Sequence, residues 1–297
     1  MTSMRTVDVT HRDRVLWPAT GFTKGDMFDY YEAVAPVLLP HLRDRGITLA
    51  RFPEGVEGTG WMQADCRGHP DWMRVQMVEG KKGRHFRYCL IDDVAGLRWA
   101  ANLGTIEFHP FLATAQRPGE PSWLVLDLDP GPPAGLRQAA VVALAARQAL
   151  ESAGLRTAVK TSGSLGLHVY AALAPGHTFG QTKAFGRALA ARLAADHPEL
   201  VLDRVDRQAR AGRIYVDWVQ NDQSRQMVAP YSLRVTEWPS VSTPVTWEEI
   251  ERAAAGRGAG ERPPLRWRPE EVLDRVSRLG DLFAPTLSAG GVLPQAP

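Results

Sequence analysis

Trp123-Leu124-Val125-Leu126-Asp127-Leu128-Asp129-Pro130-Gly131 is the stretch on which the reading of this chain turns. Alternate side chains of a β-strand share a face, so Leu124, Leu126 and Leu128 point into a core while Asp127 and Asp129 point the other way together. Adjacent carboxylates repel, and the pairing is costly unless a divalent cation lies between them or both stand in water at a strand end. Asp129-Pro130-Gly131 is also good turn chemistry that needs no metal, so spacing alone leaves both readings open.

A second acid-bearing strand shifts the balance. Gly212-Arg213-Ile214-Tyr215-Val216-Asp217-Trp218 sets one aspartate in an apolar run, on the face opposite Ile214, Val216 and Trp218. Such a carboxylate needs a partner, either an arginine (Arg213 or Arg225) or a metal shared with Asp127 and Asp129. Three carboxylates holding two Mg²⁺ or Mn²⁺ ions suit phosphoryl and nucleotidyl transfer. Between these strands lies Lys160-Thr161-Ser162-Gly163-Ser164-Leu165-Gly166-Leu167-His168-Val169-Tyr170. Its glycines let backbone N–H groups converge on an anion, and Ser162 and His168 can each donate to a phosphate oxygen. A glycine-rich hairpin is equally an ordinary turn, and a histidine on a strand is equally a satisfied core residue.

Working outward, Thr23 is a candidate N-cap for a helix running to Leu42, and the strands expected next are Ile47 to Phe52, Met73 to Glu79 and His85 to Ile91. Gly80-Lys81-Lys82-Gly83 reads as a positively charged hairpin turn. After the strand at Trp123, helices are expected at 133–153, 182–195, 247–255 and 270–279, with strands at 156–161, 167–172 and 213–219. This order predicts an α+β fold of two small mixed or antiparallel sheets flanked by helices.

Composition bounds the rest. The chain has 297 residues, 44% of them hydrophobic and 23% charged, which excludes disordered and fibrous classes. No apolar run reaches the roughly 18 residues of a membrane-spanning helix, and Met1-Thr2-Ser3-Met4-Arg5 opens no signal region, so a cytoplasmic protein without a membrane partner is expected. Cys66 and Cys89 read as buried thiols, a single bridge being the alternative. The net charge of +2 is too mild to establish a nucleic-acid partner.

Six motifs taken in order resemble a known family, the archaeo-eukaryotic primase superfamily and within it the polymerase domain of bacterial ligase D. They are Val15-Leu16-Trp17-Pro18 with Thr23-Lys24-Gly25-Asp26, Asn102 through Pro110, Asp127 through Gly131, the Ser162 to Tyr170 loop, Val216-Asp217-Trp218, and Ala229-Pro230-Tyr231-Ser232-Leu233-Arg234. The resemblance implies a primase-polymerase fold around a central active-site cleft, a single catalytic domain over 1–297 with C-terminal helices (245–285) packed on it, and Asp127, Asp129 and Asp217 as ligands of two divalent ions, Mn²⁺ or Mg²⁺. It implies Ser162, His168 and Arg234 on the triphosphate, His109 near the nucleotide, Arg210 near DNA, and Arg14 and Lys24 on the 5′-phosphate across a gap; from the residues themselves, Trp61 can stack on a nucleotide base and the charged Lys81-Lys82 turn is expected to contact the DNA backbone. The implied activity is template-dependent addition of rNTPs or dNTPs to a primer 3′-hydroxyl in gap filling and end extension during DNA repair such as non-homologous end joining. The implied partners are gapped or primer-template DNA, a DNA ligase and Ku, the chain itself being a nucleoid-associated monomer.

The rival readings are a primer-independent primase and a non-catalytic DNA-end-binding module that recruits a ligase. Two departures from the family stand out. Leu165 occupies a loop position where a lysine is common, and Trp61-Met62 with Ala64 replaces a Phe-Phe pair followed by lysine. At this length a stand-alone polymerase or an excised domain is expected.

Overall fold

Thr23-Lys24-Gly25-Asp26 starts a helix for a local reason. In the computed structural model of the chain, which describes residues 7–79, 83–206, 208–256, 265–288 and 290–294, the Asp26 N–H donates to Thr23 Oγ1 at 3.1 Å. The Thr23 N–H donates back to the Asp26 carboxylate at 2.8 Å. This capping box satisfies two N–H groups at the start of the helix, and the chain then runs helical from Lys24 to Leu42.

In chain order the first half holds β1 (Val15–Trp17), β2 (Phe22–Thr23), α1 (Lys24–Leu42), β3 (Gly46–Arg51), β4 (Trp61–Gln63), β5 (Val75–Glu79), β6 (His85–Leu90), α2 (Val94–Asn102) and β7 (Thr105–Pro110). There follow β8 (Trp123–Pro130), α3 (Leu136–Ser152), β9 (Thr157–Thr161), β10 (Leu167–Ala172), α4 (Phe179–Asp196), β11 (Val201–Leu202) and β12 (Ile214–Asp217). The last are β13 (Leu233–Arg234), β14 (Ser240–Val241), β15 (Pro244–Val245), α5 (Trp247–Ala254) and α6 (Pro269–Leu279). The α+β expectation holds, and its element boundaries are met within a few residues. The largest shifts are at the starts of α3, where the Ala134 N–H closes a turn on Gly131 O at 3.0 Å and the helix begins at Leu136, and of α4, which begins earlier than expected, at Phe179, behind its Thr178 cap.

Contacts divide the chain into two units. The first comprises the residues up to Phe111 with Gln226–Val241 and Arg268–Gly280; the second comprises Leu112–Arg225, Ser242–Trp267 and the residues from Asp281 on.

In the first unit, β4, β3, β6 and β5 form an antiparallel sheet in that order, and β7 also pairs with β3. Met27, Tyr30, Tyr31, Val34, Leu38 and Leu42 are the buried face of α1. The rings of Tyr31 and Phe108 meet edge-on at 4.9 Å, and α6 packs on α1. Cys66 and Cys89 are both buried, but they are joined as a disulfide across a separation of 23 residues. This corrects the reading as thiols. The Cys66 N–H pairs with the Arg87 carbonyl beside β6, which brings the two residues to a Cα–Cα distance of 5.2 Å, within the bridging range.

In the second unit the sheet order is β11-β12-β8-β10-β9-β15, parallel only at β11 and β12. Leu124, Leu126, Leu128, Val169, Ile214 and Val216 form a hydrophobic layer packed with Ala139, Val142, Ala143 and Ala146 of α3. Removing this apolar area from water is the main force holding sheet to helix, at roughly 25 cal/mol per Å². A buried amide then fixes the end of β12: Asn221 Oδ1 accepts from the Val125 N–H at 2.9 Å, and its Nδ2 donates to Val125 O at 2.7 Å. The 3₁₀ turn Trp218–Gln220 is thereby pinned to β8 directly after Asp217. Helix α5 packs on α3, with the Arg147 guanidinium 4.9 Å from the centre of the Trp247 ring.

Candidate active site

Strand register decides which side chains meet in the second unit. Asp217 of β12 lies opposite Asp127 of β8, Asp127 opposite His168 of β10, and His168 opposite Lys160 of β9; Asp129 lies opposite Tyr215. Directly opposed residues on adjacent strands share a face. Asp217, Asp127, His168 and Lys160 therefore form one row across four strands, with Asp129 and Tyr215 in the next row but one along the strands. The face is the one turned away from Leu126, Leu128 and Val216, as the alternation in β8 demands.

Each carboxylate of this face has polar neighbours within the unit. His168 Nε2 lies 3.3 Å from Asp127 Oδ1, and Arg210 Nη2 lies 3.3 Å from Asp129 Oδ2. Asp217 Oδ1 accepts from Tyr215 OH at 3.2 Å and from the Val219 N–H at 3.0 Å, and its Oδ2 accepts from Gln220 Nε2 at 2.8 Å. The partners of Asp217 are thus neutral donors, while Arg213, one of the two arginines anticipated from the sequence, reaches toward Glu199 at 3.9 Å. The charge concentrated here is felt by Tyr215: its phenol titrates above the ordinary range, first through burial and then through the negative charge of Asp217 and Asp129.

Three carboxylates offer the oxygen donors that a hard divalent ion takes, so the donor chemistry fits Mg²⁺ or Mn²⁺. The side-chain arrangement is a different matter. Among the described residues no group of three or more His, Cys, Asp or Glu is set around a common point for a metal ion, and the partners just named are what such an ion would displace.

The hairpin beside this face is closed by the Ser162 N–H donating to Gly166 O at 2.9 Å. The Ser164 and Gly166 N–H groups both donate to Ser162 Oγ, at 3.1 and 3.0 Å. Two of the N–H groups expected to converge on an anion therefore converge on the serine hydroxyl. A Cβ at Gly166 would stand 2.5 Å from Leu128 O, which ties the close approach of loop to β8 to that glycine. Leu165 is half exposed, and Arg266 Nε holds the Ser164 carbonyl at 3.2 Å.

The first unit carries its own cluster. Glu107, buried on β7, accepts from Arg234 Nε at 3.0 Å and from the Val235 N–H at 2.7 Å through Oε1, and its Oε2 lies 2.8 Å from His109 Nε2. Burial pushes the Glu107 pKa up, but the hydrogen bond from His109 and the charge of Arg234 pull it down further, to about 2. At the N-terminal end Arg14 Nη1 donates to Pro53 O at 2.9 Å and pairs with Glu54 at 2.6 Å. Lys24, whose backbone N–H bonds to Arg14 O, sends Nζ to Asn102 Oδ1 at 2.9 Å and to Thr10 Oγ1 at 3.2 Å. It is buried, and burial followed by the Arg14 charge lowers its pKa. Trp61 is exposed on β4, with the Arg51 guanidinium 5.0 Å from its ring centre. Lys81 and Lys82 lie outside the described residues.

Within the second unit the structure thus brings together Asp127, Asp129, Asp217, His168 and Arg210. Within the first it joins His109 to Arg234, and Arg14 to Lys24. The sequence reading gave no role to Glu107, Lys160, Tyr215, Asn221 or Arg266. For Glu107 a signal was present: it shares a strand face with His109 in an apolar run, the pattern that singled out Asp217.

An α+β chain with aspartates on one face of two neighbouring antiparallel strands, beside a histidine and a glycine-rich hairpin, has the make-up of a primase-polymerase nucleotidyltransferase. The family model for the LigD primase-polymerase domain matches residues 23–283, and the chain belongs to that family. It is 38% identical over 292 residues to the multifunctional non-homologous end joining DNA repair protein LigD of Mycobacterium tuberculosis, covering 95% of this chain and 37% of that one. It is 35% identical over 283 residues to LigD of Mycolicibacterium smegmatis, covering 94% and 36%. The solved polymerase domain of M. tuberculosis ligase D in complex with DNA superposes with a TM-score of 0.88 at 35% identity, over 96% of this chain and 99% of that one. The chain therefore spans little more than a third of the curated mycobacterial relatives, and nearly all of the solved M. tuberculosis polymerase domain.

Proposed function

We propose that the chain is a template-dependent polymerase that adds ribo- or deoxyribonucleotides to a primer 3′-hydroxyl, filling gaps and extending ends in DNA repair such as non-homologous end joining. The observation that carries this is the row of opposed residues Asp217, Asp127 and His168, with Asp129 on the same face.

Asp127, Asp129 and Asp217 would hold two divalent ions, Mg²⁺ or Mn²⁺. When bound, such ions make the primer hydroxyl a better nucleophile and offset the charge of the triphosphate and leaving pyrophosphate. The chain's own residues orient the reactants. His168 Nε2 and the Ser162 hydroxyl donate to triphosphate oxygens, and the Arg234 guanidinium is held by Glu107 on its Nε side, which directs the rest of the fork. Trp61 supplies a stacking surface for a base, with His109 near the nucleotide. Arg14 and Lys24 receive the 5′-phosphate of the gap, and Arg210, Lys81 and Lys82 contact DNA.

The same reading makes 1–297 one catalytic domain, a nucleoid-associated cytoplasmic monomer working with a DNA ligase and Ku. No helix among the described residues is long and apolar enough to cross a membrane.

The test is primer extension on a 5′-phosphorylated gapped duplex, supplying each ribo- and deoxyribonucleotide with Mg²⁺ or Mn²⁺. Templated incorporation that needs a divalent ion is expected. Synthesis on unprimed single strands would move the reading to a primase, and binding without incorporation to a DNA-end module.

A further inference from the structure

Lys160 is fully buried, at 0% exposure, on β9 between β10 and the edge strand β15 of the second unit's sheet. Its Nζ lies 2.8 Å from His168 Nδ1 and 2.7 Å from Ser242 Oγ, and stands 5.8 Å from the centre of the Tyr170 ring. Ser242 Oγ spends its own hydrogen on Thr161 O at 2.8 Å, so it meets Nζ as an acceptor. An apolar chain would fill this place without the cost of burying an amine. The amine therefore needs a reason, and the strand register supplies one: Lys160 is the next residue in the row after His168, on the side away from Asp127.

We propose that Lys160 is a positioning residue that holds the His168 ring with its proton on Nε2. Held as an ammonium, which has three donors and no acceptor, Lys160 makes Nδ1 the acceptor across this 2.8 Å contact. A neutral imidazole that accepts at Nδ1 carries its hydrogen at Nε2. That nitrogen faces Asp127, 3.3 Å away, and in the proposed function it donates to the triphosphate. Ser242 and the Tyr170 ring fix Nζ, Nζ fixes Nδ1, and turning the ring over would take the acceptor away from the 2.8 Å contact. The proposal rests on the polymerase reading for its consequence, but its geometry stands without it.

The test reads the His168 tautomer by long-range ¹H–¹⁵N NMR of the imidazole in the intact chain, free of nucleotide. Wild-type protein is expected to show Nδ1 without a proton and Nε2 with one. Lys160→Met keeps the volume and removes the donor. It is expected to lose the single tautomer and to raise KM for the nucleoside triphosphate about tenfold, with kcat changed less and gapped-DNA binding retained. A proton on Nδ1 in the wild type overturns the proposal, as does an unchanged tautomer in Lys160→Met or an unchanged KM once the tautomer is lost. Should Lys160→Met fail to fold, the wild-type spectrum still decides, and Ser242→Ala, which loosens Nζ, is expected to weaken the same preference. Absence of any incorporation by the wild type would count against the polymerase reading alone, while the tautomer would still decide the role of Lys160.

Discussion

Glu107 shows what a single buried charge commits a chain to. With Arg234 on one oxygen and His109 on the other, its carboxylate stays ionised down to about pH 2, against an ordinary value of 4.5. Because the folded-state pKa is depressed, the stability it contributes is fully present above about pH 4.5 and is lost as pH falls from there toward 2. Glu107→Gln is therefore expected to flatten acid unfolding in that window. At pH 7 it should cost about 3 kcal/mol in denaturant unfolding, because Arg234 is left without its carboxylate. A loss below about 1 kcal/mol, the range of an exposed ion pair, would contradict the assigned burial and pairing.

At the scale of elements, what is local was legible. The period of two in β8 placed Asp127 and Asp129 on one face, and the Thr23 to Asp26 spacing marked the start of α1. Pairings across long separations were not. Glu107 meets Arg234 over 127 residues, Asn221 meets Val125 over 96, and Arg266 meets Ser164 over 102; periodicity carries no record of which distant segments fold together. The hairpin at Ser162 is a subtler case. Its glycines suggest N–H groups free for an anion, and in the fold the Ser164 and Gly166 N–H groups donate to Ser162 Oγ. Gly166→Ala tests this element. A methyl group 2.5 Å from Leu128 O must push the loop from β8, so about 2 kcal/mol of destabilisation and faster amide exchange at Ser162 are expected. Ser164→Ala, which keeps every backbone bond, is expected to stay within about 0.5 kcal/mol. Equal behaviour of the two variants would contradict the close approach.

Over the whole molecule, composition excluded much and assigned little. A net charge of +2 does not say where the charges stand: Asp127, Asp129 and Asp217 gather on one face, with His168, Lys160 and Arg210 beside them. The count of two cysteines left the bridge open, because only the fold shows that Cys66 and Cys89 come together. The family was legible in ordered motifs spread over both units, and its domain model covers residues 23–283. The central claim is that the aspartate face of the second unit carries out nucleotidyl transfer. Primer extension on gapped DNA by Asp127→Ala and Asp129→Ala, with DNA binding measured in parallel, tests it most directly. The account predicts extension reduced at least a thousandfold, on the order of 4 kcal/mol of transition-state stabilisation, with binding to the gap retained. Extension at wild-type rates by either variant would contradict it.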